Sequence, residues 1–399
     1  MRRLLAIARR EARAFFRSGM APAVLTAFLA LTGFFFTFFA RGYSELSLSA
    51  MRSGRENPAL NLTDGIFQPL VTDMVIFLLF VLPAVAMRLF SEEYRSGRYD
   101  LIMTWPVPDR TWVLGKFLSV LAVGVALLVA ASALLAVAAA FGRLEPGPLA
   151  AAGVGLLLAT ASIGAWGVFF SALVPYQVVA YILTFAFLLV LYAISGLEPH
   201  VGAGLRPLLL GVSFTEHCHR FGRGIVDSRD VFYHVALTGL GLAAATASLA
   251  GRRLGGARRW WRWAPVLALA ALAVAGSALV ARHPLSGDWT SNRRHSLAPQ
   301  TVQVLEALDR DVTVRAFYAQ LDPARQEIAG LLGAFRDRSP RLHYELADPA
   351  RDLDLIERYG VHEQRTVVVE AQGRRRTLPD PGESARINTV YRLVTGAPP

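Results

Sequence analysis

Long apolar runs alternate with short charged segments over residues 1–281. A helix needs about 20 apolar residues to cross a hydrocarbon core of roughly 30 Å. Runs of that length lie at 20–40, 66–87, 117–141, 231–251 and 263–281, and a longer run at 144–197 divides into two spans at the turn signal Val174-Pro175-Tyr176. The pattern therefore predicts a multi-span α-helical membrane protein with seven transmembrane helices.

In the C-terminal part the apolar residues have a different spacing, which is typical of an α/β domain. Strands are predicted at 312–318, 341–347, 366–370 and 375–378, and helices at 324–337, 353–359 and 383–394. This order, βαβαββα, resembles a thioredoxin-like fold. The paired catalytic cysteines of that fold are absent, so the resemblance implies a scaffold without redox chemistry.

Basic residues indicate how the spans are oriented, because cytoplasmic flanks are enriched in Arg and Lys. With the N-terminus inside, the inner segments 1–19, 88–116 and 252–262 hold 16 basic and 5 acidic residues, and the outer segments of residues 1–281 hold 8 and 9. This distribution predicts a cytoplasmic N-terminus. An odd number of spans then places the C-terminal domain on the extracytoplasmic side of a bacterial inner membrane.

Residues 1–18 predict an amphipathic helix lying in the membrane interface. Arginines occupy one arc of its helical wheel, opposite an apolar arc of Leu4, Leu5, Ala8, Ala12, Phe15 and Phe16. A basic leader without fixed structure is the alternative. The predicted parts are thus an interfacial helix at 1–19, six spans at 20–252, a basic loop with a seventh span at 253–282, and an extracytoplasmic domain at 283–399.

Composition excludes several classes of protein. The chain is 54% hydrophobic and 18% charged, which is too apolar for a soluble protein of 399 residues. The net charge of +11 rests almost entirely on arginine, a usage that points to genome composition and gives no reason to expect nucleic-acid binding. The single cysteine, Cys218, excludes an intramolecular disulfide or a Cys-x-x-Cys site.

The segment SEEYRSGRYDLIMTWPVPDRTWVLGKF, which begins at Ser91, is unusually polar for its position between two predicted spans. Gly97 ends a short helix, Pro106 and Pro108 fix the backbone, and Asp109 is a predicted N-cap for the following span. The apolar side chains of Leu101, Ile102, Met103 and Trp105 then stand inside a polar rim. Such a patch is typical of a docking site for another protein.

This segment resembles the E-E-x-x-x-G…P-V segment of type-2 ABC exporter permeases, in which a short coupling helix enters a cleft in the ATPase subunit. The matching residues are Glu92, Glu93, Gly97, Leu101, Pro106 and Val107, with Asp100 next to the usual acidic position. The resemblance implies a role in ATPase coupling for these residues and for Trp105. The alternative is that Glu92 and Glu93 form only surface ion pairs with Arg95 and Arg98.

A second segment, FTEHCHRFGRGIVDSRDVFYHV, resembles the re-entrant outer segment of the same permeases. The residues that carry this resemblance are Phe221, Gly224, Asp227 and Asp230. Together the two segments make residues 1–252 similar to a six-span permease, most of all to those of gliding-motility-associated ABC systems. Residues 288–395 resemble the N-terminal part of the extracytoplasmic auxiliary subunit of those systems, through RRHSLAPQTVQVLEALDRDVTVRAFY, LADPARD, ERYGV and RTVVVEAQGRR.

The resemblance implies a permease subunit that couples ATP hydrolysis on a separate ATPase dimer to export or to conformational work. The alternative is a mechanotransmitting complex that drives a partner of the outer domain and moves no cargo. The sequence has no G-x-x-x-x-G-K-(S/T) loop, so ATP and Mg are expected on the partner and no cofactor on this chain. A permease homodimer, membrane lipid and a periplasmic or auxiliary subunit are the other expected partners.

Other polar groups have two interpretations each. Asp73 lies inside the second span and is either a functional intramembrane carboxylate or a residue at the outer headgroup layer. His217 and His219 are about 200° apart on a helix, so no metal site is expected there. Arg374, Arg375 and Arg376 meet anionic lipid or polysaccharide, or simply form a solvated strand edge. Close helix packing is expected at Gly153, Gly155, Gly164 and Gly167.

Overall fold

A computed structural model describes residues 2–53, 62–142, 144–201, 204–253, 261–290, 299–319, 323–349, 352–361, 365–371 and 374–379. The chain divides into two compact units, Met1–Asn292 and Arg293–Pro399. Seven helices are long and apolar enough to cross a membrane, which confirms the prediction. These spans are Met20–Arg52, Thr63–Arg95, Asp109–Ala140, Pro146–Leu173, Gln177–Leu197, Ser228–Arg252 and Trp261–Arg282.

The first unit is almost entirely helical. Its helices are α1 (Arg2–Phe16), α2 (Met20–Ser53), α3 (Gln68–Ala86), α4 (Arg88–Arg95), α5 (Arg98–Met103), α6 (Asp109–Phe141), α7 (Pro146–Leu173), α8 (Gln177–Ala193), α9 (Arg206–Val212), α10 (Phe214–Gly222), α11 (Ser228–Arg253) and α12 (Ala264–Arg282). A π-helical turn, Thr63–Phe67, precedes α3, and short 3-10 helices occupy Ile194–His200 and Trp261–Trp263. Helices dominate because a backbone in lipid must satisfy its own hydrogen bonds.

Helix α7 lies at the centre of the bundle, and glycines let its neighbours approach. A Cβ on Gly155 would lie 2.5 Å from the Phe221 side chain, and one on Gly167 would lie 2.5 Å from Ala86. Gly164 faces Val120 in the same way. The prediction of close packing is confirmed at these three positions and is wrong at Gly153, where a Cβ would have nothing within 4 Å.

One end of the bundle gathers α1, α4, α5 and the turn between α7 and α8. The Tyr94 hydroxyl donates to the Ala172 carbonyl at 3.0 Å, and the Arg252 guanidinium donates to the Leu173 carbonyl at 3.0 Å. Arg3 of α1 donates to the Pro106 carbonyl at 3.0 Å. Three segments that the charge distribution placed on the inner side therefore meet at the same end of the structure.

The opposite end carries a two-stranded antiparallel sheet of β1 (Ile225–Asp227) and β2 (Ser286–Asp288). The first strand follows α10, and the second follows α12, so the pair ties the outer segment to the chain that leaves the seventh span. Gly224 has a φ of +84°, and a Cβ on Gly147 would collide with the Trp289 backbone. Residues 286–290 belong to the first unit, which continues past the predicted boundary at 282 to Asn292.

The second unit contains α13 (Pro299–Glu306), β3 (Val312–Phe317), α14 (Pro323–Arg338), β4 (Leu342–Ala347), α15 (Leu353–Tyr359), β5 (Thr366–Ala371) and β6 (Arg374–Pro379). The four strands form one sheet in the order β4-β3-β5-β6, with β3 parallel to β4 and all other pairs antiparallel. Every predicted strand and both helices at 324–337 and 353–359 are confirmed within a few residues. The helix predicted at 383–394 lies outside the described residues.

The core of this sheet follows from its alternating residues. Val312, Val314 and Ala316 of β3 are buried together with Leu332 and Phe335 of α14. The three arginines of β6 are exposed on the edge strand, which agrees with the solvated-edge interpretation.

One local expectation differs from the structure, and a second feature adds detail to the prediction for α1. Pro108 occupies the N-cap position of α6, and Asp109 is the first helical residue, so the predicted Asp109 cap is wrong. Proline with φ of −60° suits the extended N-cap backbone, and an acidic residue in the first turn is still favourable to the helix dipole. In α1 the buried residues are Ile7 and Phe15, whereas Leu5 and Phe16 of the predicted apolar arc are about half exposed, at 46% and 51%.

Candidate functional site

A wedge formed by residues 91–108 lies at the end of spans two and three where α1, α4 and α5 meet, which the charge distribution predicts to be cytoplasmic and which is called the inner end below. Helix α4 ends at Arg95, and Gly97 turns the chain with a φ of +69°, a conformation that favours glycine. The six-residue α5 follows, and Pro106 and Pro108 lead into α6. The segment thus folds locally as expected, into two short helices joined by a turn, between two membrane spans.

The tip of the wedge presents apolar side chains to solvent. Leu101 is 70% exposed and Trp105 is 58% exposed, and Asp100 is exposed beside them. The Trp105 ring packs on Trp112 with centroids 6.3 Å apart, which limits its freedom. The predicted exposed patch is therefore present, while the side chains of Ile102 and Met103 lie outside the described residues.

The two predicted coupling glutamates have different environments. Glu92 forms an exposed ion pair with Arg98 at 3.1 Å, as the surface-pair interpretation expected. Glu93 is only 6% exposed and accepts a hydrogen bond from Lys116 at 2.8 Å. Val107 is half-buried, and Pro106 accepts through its carbonyl the hydrogen bond from α1. Of the predicted set, Asp100, Leu101 and Trp105 have exposed side chains at the tip, and Gly97 and Pro106 are exposed as well.

Lys116 is the centre of a buried charge cluster that the sequence prediction missed. Its side chain is fully buried, and its ammonium group donates to Glu93, to the Leu89 carbonyl at 2.5 Å and to Glu11 at 3.4 Å. Arg10 lies 3.5 Å from Glu93 on the exposed side. One signal was available in the sequence: Lys116 is the only lysine in the chain.

The Lys116 cluster clamps α1 to the wedge and to span three. Burial favours the neutral form of Glu11, but Lys116 and Arg10 outweigh that effect and lower the pKa of the Glu11 carboxyl below its usual value. Glu11 is therefore ionised at neutral pH and attracts the cations of the cluster. Ile7, one turn earlier on α1, packs against Gly115 of α6.

Serines connect the wedge to the central helix α7. The Ser171 hydroxyl accepts from the Phe90 amide at 2.9 Å and donates to the Met87 carbonyl at 2.9 Å. The Ser91 hydroxyl donates to the Val174 carbonyl at 2.8 Å. These bonds fix α4 to the C-terminal end of α7, the fourth span.

The outer segment brings together two of its four predicted residues, Asp227 and Asp230, in a second buried charge cluster. Asp230 is fully buried, 2.7 Å from His217 Nδ1 and 2.9 Å from the Arg220 guanidinium. Asp227 is also buried and accepts from Arg229, both from its backbone amide at 2.8 Å and from its guanidinium at 2.7 Å. Although burial raises the pKa of Asp227, these bonds to Arg229 lower it below its usual value.

Phe221 anchors the outer segment to α7. Its side chain is fully buried against Gly155, and Gly224 contacts Pro148 at the start of the same helix. Helix α10 and strand β1 thus form a packed cap at this end of α7, and Asp227 and Asp230 beside it are paired with Arg229, Arg220 and His217. Asp73 lies half-buried in α3, near the level of this cap, because Val71 faces Gly222.

The histidines of this region have protein partners. His217 Nε2 lies 3.2 Å from the Gly211 carbonyl, and His234 Nδ1 lies 3.1 Å from the Ser162 hydroxyl. Burial, with the nearby Arg223 and Arg220, lowers the pKa of His219 to about 4, so this side chain is neutral at pH 7. Across the described ranges, no group of three or more His, Cys, Asp and Glu side chains is arranged to hold a metal ion.

Comparison with known sequence families gives two matches. Residues 21–197 match a family described as ABC-2 family transporter protein, which covers the first five spans and the wedge. Residues 291–381 match a domain of unknown function (DUF7088), which covers the second unit up to β6. None of the curated proteins matches the chain.

Proposed function

We propose that this chain, of which residues 21–197 match the ABC-2 transporter family, is the membrane subunit of such a transporter. We further propose that the tip of the wedge docks into a separate ATPase subunit. The observation that carries the proposal is the exposure of Leu101 on the short helix α5 and of Trp105 just after it, in a segment held between two spans. A rigid-body movement of the ATPase pair would push on this tip, and the Ser91–Ser171 contacts would pass the movement to α7. ATP and Mg belong to the ATPase in this proposal.

The wider assembly follows the resemblance to gliding-motility-associated permeases. We propose two permease copies with two ATPase copies in a bacterial inner membrane, with the N-terminus cytoplasmic and the second unit extracytoplasmic. The concentration of basic residues at the inner end supports this orientation. The strand order β4-β3-β5-β6 supports a thioredoxin-like fold for the second unit, where a periplasmic or auxiliary subunit would bind.

Replacing Leu101 by Asp tests the docking face. We expect ATPase association to weaken by at least about thirtyfold, because a charge in a buried apolar contact costs 2 kcal/mol or more at an interface hot spot. The measurement is recovery of the ATPase, identified by mass spectrometry, with the affinity-purified full chain from its native host. Leu285→Asp is the matched control, since Leu285 is 77% exposed at the opposite end of the bundle.

Equal recovery of the ATPase with both variants would contradict the docking role of the tip. Glu93→Arg is a poorer test. It would place a second cation beside buried Lys116, and its effect would report on the charge cluster and not on the docking face.

A second candidate function is mechanical work on a partner of the second unit without movement of cargo. Two observations favour it. The packing of α7 on α11 is dominated by small buried residues such as Ala165 and Ala245, with Gly241 against Ala165. The β1–β2 pair connects the outer cap to the chain that enters the second unit, as the bond from the Trp289 amide to the Gly224 carbonyl shows.

A flexible Gly/Ser linker inserted after Thr290 distinguishes the two functions. If the complex does mechanical work, ATP will change amide hydrogen exchange in strands β3 and β5 of the complete complex, and the linker will abolish that change by making the connection slack. The same measurement without ATP is the control. If hydrogen exchange in the unmodified chain is the same with and without ATP, that result would count against mechanical work.

A further inference from the structure

The C-terminal end of α7 is held by side chains from two other helices. The last carbonyls of a helix have no partner within it and bind groups from outside. Here the Ala172 carbonyl accepts from the Tyr94 hydroxyl at 3.0 Å and from the Ser248 hydroxyl at 3.3 Å. The Leu173 carbonyl accepts from the Arg252 guanidinium at 3.0 Å. Helix α4, which leads into the wedge, and helix α11 therefore meet at the inner end of α7.

Tyr94 and Arg252 also contact each other. The Arg252 guanidinium lies 4.0 Å from the centre of the Tyr94 ring, a cation–π geometry that attracts the two groups. Arg252 stands in the last turn of α11, where a cation is also favoured by the helix dipole. One arginine thus binds the ring of an α4 residue and a carbonyl of α7 at the same time, and it joins three helices.

Helix α11 continues from this contact to the outer cap. It covers Ser228–Arg253, contains no proline and is about 39 Å long at a rise of about 1.5 Å per residue. Near its other end, Asp230 is paired with Arg220 of α10 at 2.9 Å. Between the two ends, Gly241 packs closely on Ala165 of α7. As one continuous element, α11 therefore connects the inner end of the bundle to the cap.

We propose that Tyr94 and Arg252 are positioning residues that carry a displacement of the wedge to α11, and through α11 to the cap. This role rests on the proposed docking of the wedge to an ATPase, and it adds a second route to the serine contacts with α7. A packed helix moves as a rigid element, so a shift of its inner end also shifts or rotates its outer end. Helix α11 follows α4 because the guanidinium would otherwise lose the ring and the α7 carbonyl.

Amide hydrogen exchange in the complete complex with its ATPase tests this role. In the unmodified chain, we expect ATP to change the exchange of residues 214–227. Arg252→Met should reduce that change by about fivefold or more, the effect of losing one cation–π contact and one charge-assisted hydrogen bond. Recovery of the ATPase should stay the same. Arg13→Met is the matched control, because it removes an exposed cation of α1 at the same end of the bundle.

Conservative variants separate positioning from stability. Tyr94→Phe keeps the ring and should retain most of the ATP response, whereas Tyr94→Leu should lose it as Arg252→Met does. Arg252→Lys keeps a cation beside the ring and should retain part of the response. Without ATP, the exchange of residues 214–227 should be the same in all these variants. If Arg252→Met does not fold, the comparison of Tyr94→Leu with Tyr94→Phe takes its place.

Three results would overturn the role of Tyr94 and Arg252 while the ATPase is still recovered. They are an ATP response of Arg252→Met equal to that of Arg13→Met, a cap that does not respond to ATP in the unmodified chain, and faster exchange of 214–227 in Arg252→Met already without ATP. Absence of the ATPase from the unmodified preparation would instead contradict the docking of the wedge, and this role with it. The two failures are therefore distinguishable.

Discussion

Replacing Lys116 by Met will destabilise the membrane unit by about 3 kcal/mol and release α1 from the bundle. Removing one partner of a buried ion pair leaves the other charges desolvated without compensation, which typically costs 3–5 kcal/mol. Here Glu93 loses its 2.8 Å partner and Glu11 its 3.4 Å partner. Arg10 stays close to both carboxylates and offsets part of the loss, so the lower end of the range is expected.

Thermal unfolding of the detergent-purified chain measures this loss, and limited proteolysis within residues 2–16 measures the release of α1. The matched control is Arg110→Met, which removes an exposed cation from the same helix. The double variant Lys116→Met with Glu93→Gln should recover part of the stability, because the neutral amide costs less to bury than the carboxylate. An unfolding temperature of Lys116→Met equal to that of Arg110→Met would refute the clamp.

Replacing Asp230 by Ala will destabilise the outer cap by a similar amount, about 3 to 5 kcal/mol. Asp230 is fully buried and is contacted by His217 at 2.7 Å and Arg220 at 2.9 Å. Without it, the Arg220 guanidinium keeps its 3.5 Å contact with Asp227 but loses its closer carboxylate, and α10 loses its ion pairs with α11 while the ring contact of His217 with Tyr233 remains. The cap should open while the inner end of the bundle stays folded.

Amide hydrogen exchange resolves this difference between the two ends. In Asp230→Ala, we expect faster exchange in 214–227 and unchanged exchange in 88–95. Asp230→Asn should restore much of the protection, since the amide oxygen still accepts from Arg220. Glu216→Ala removes a half-buried acid from α10, the helix that Asp230 contacts through His217 and Arg220, and serves as the control. Uniform protection in all three variants would show that the buried cluster does not hold the cap.

The wedge shows which features of a local structure can be predicted from the sequence and which cannot. Its glycine, prolines and exposed apolar residues are local features, and local geometry placed Leu101 and Trp105 at an exposed tip as predicted. Glu93 is adjacent to Glu92 and was assigned the same role, yet one is buried and the other lies at the surface. Which face of α4 turns inward depends on α7 and α6, and no local pattern contains that information.

The amphipathic helix shows the same limit. A helical wheel separates arginines from apolar residues, and it correctly predicted a helix. The face that packs on α6 carries Ile7, Glu11 and Phe15. Glu11 belongs to this face because it pairs with Lys116, which lies 105 positions further along the chain. A buried carboxylate cannot be recognised as such until its partner is placed beside it.

By itself the sequence determined the seven spans, their charge asymmetry and the strand order of the second unit along the chain. The spans follow from the length of the apolar runs, because a backbone in lipid must form its hydrogen bonds within its own helix. The strands and helices of the second unit follow from apolar residues that recur every two or about 3.6 positions, since a half-buried strand alternates apolar and polar side chains. Only the tertiary structure decided which charges meet. The Lys116 cluster and the β1–β2 pair join residues distant in sequence, and the Asp230 cluster joins two different helices. The stability of all three depends on distances that packing alone sets.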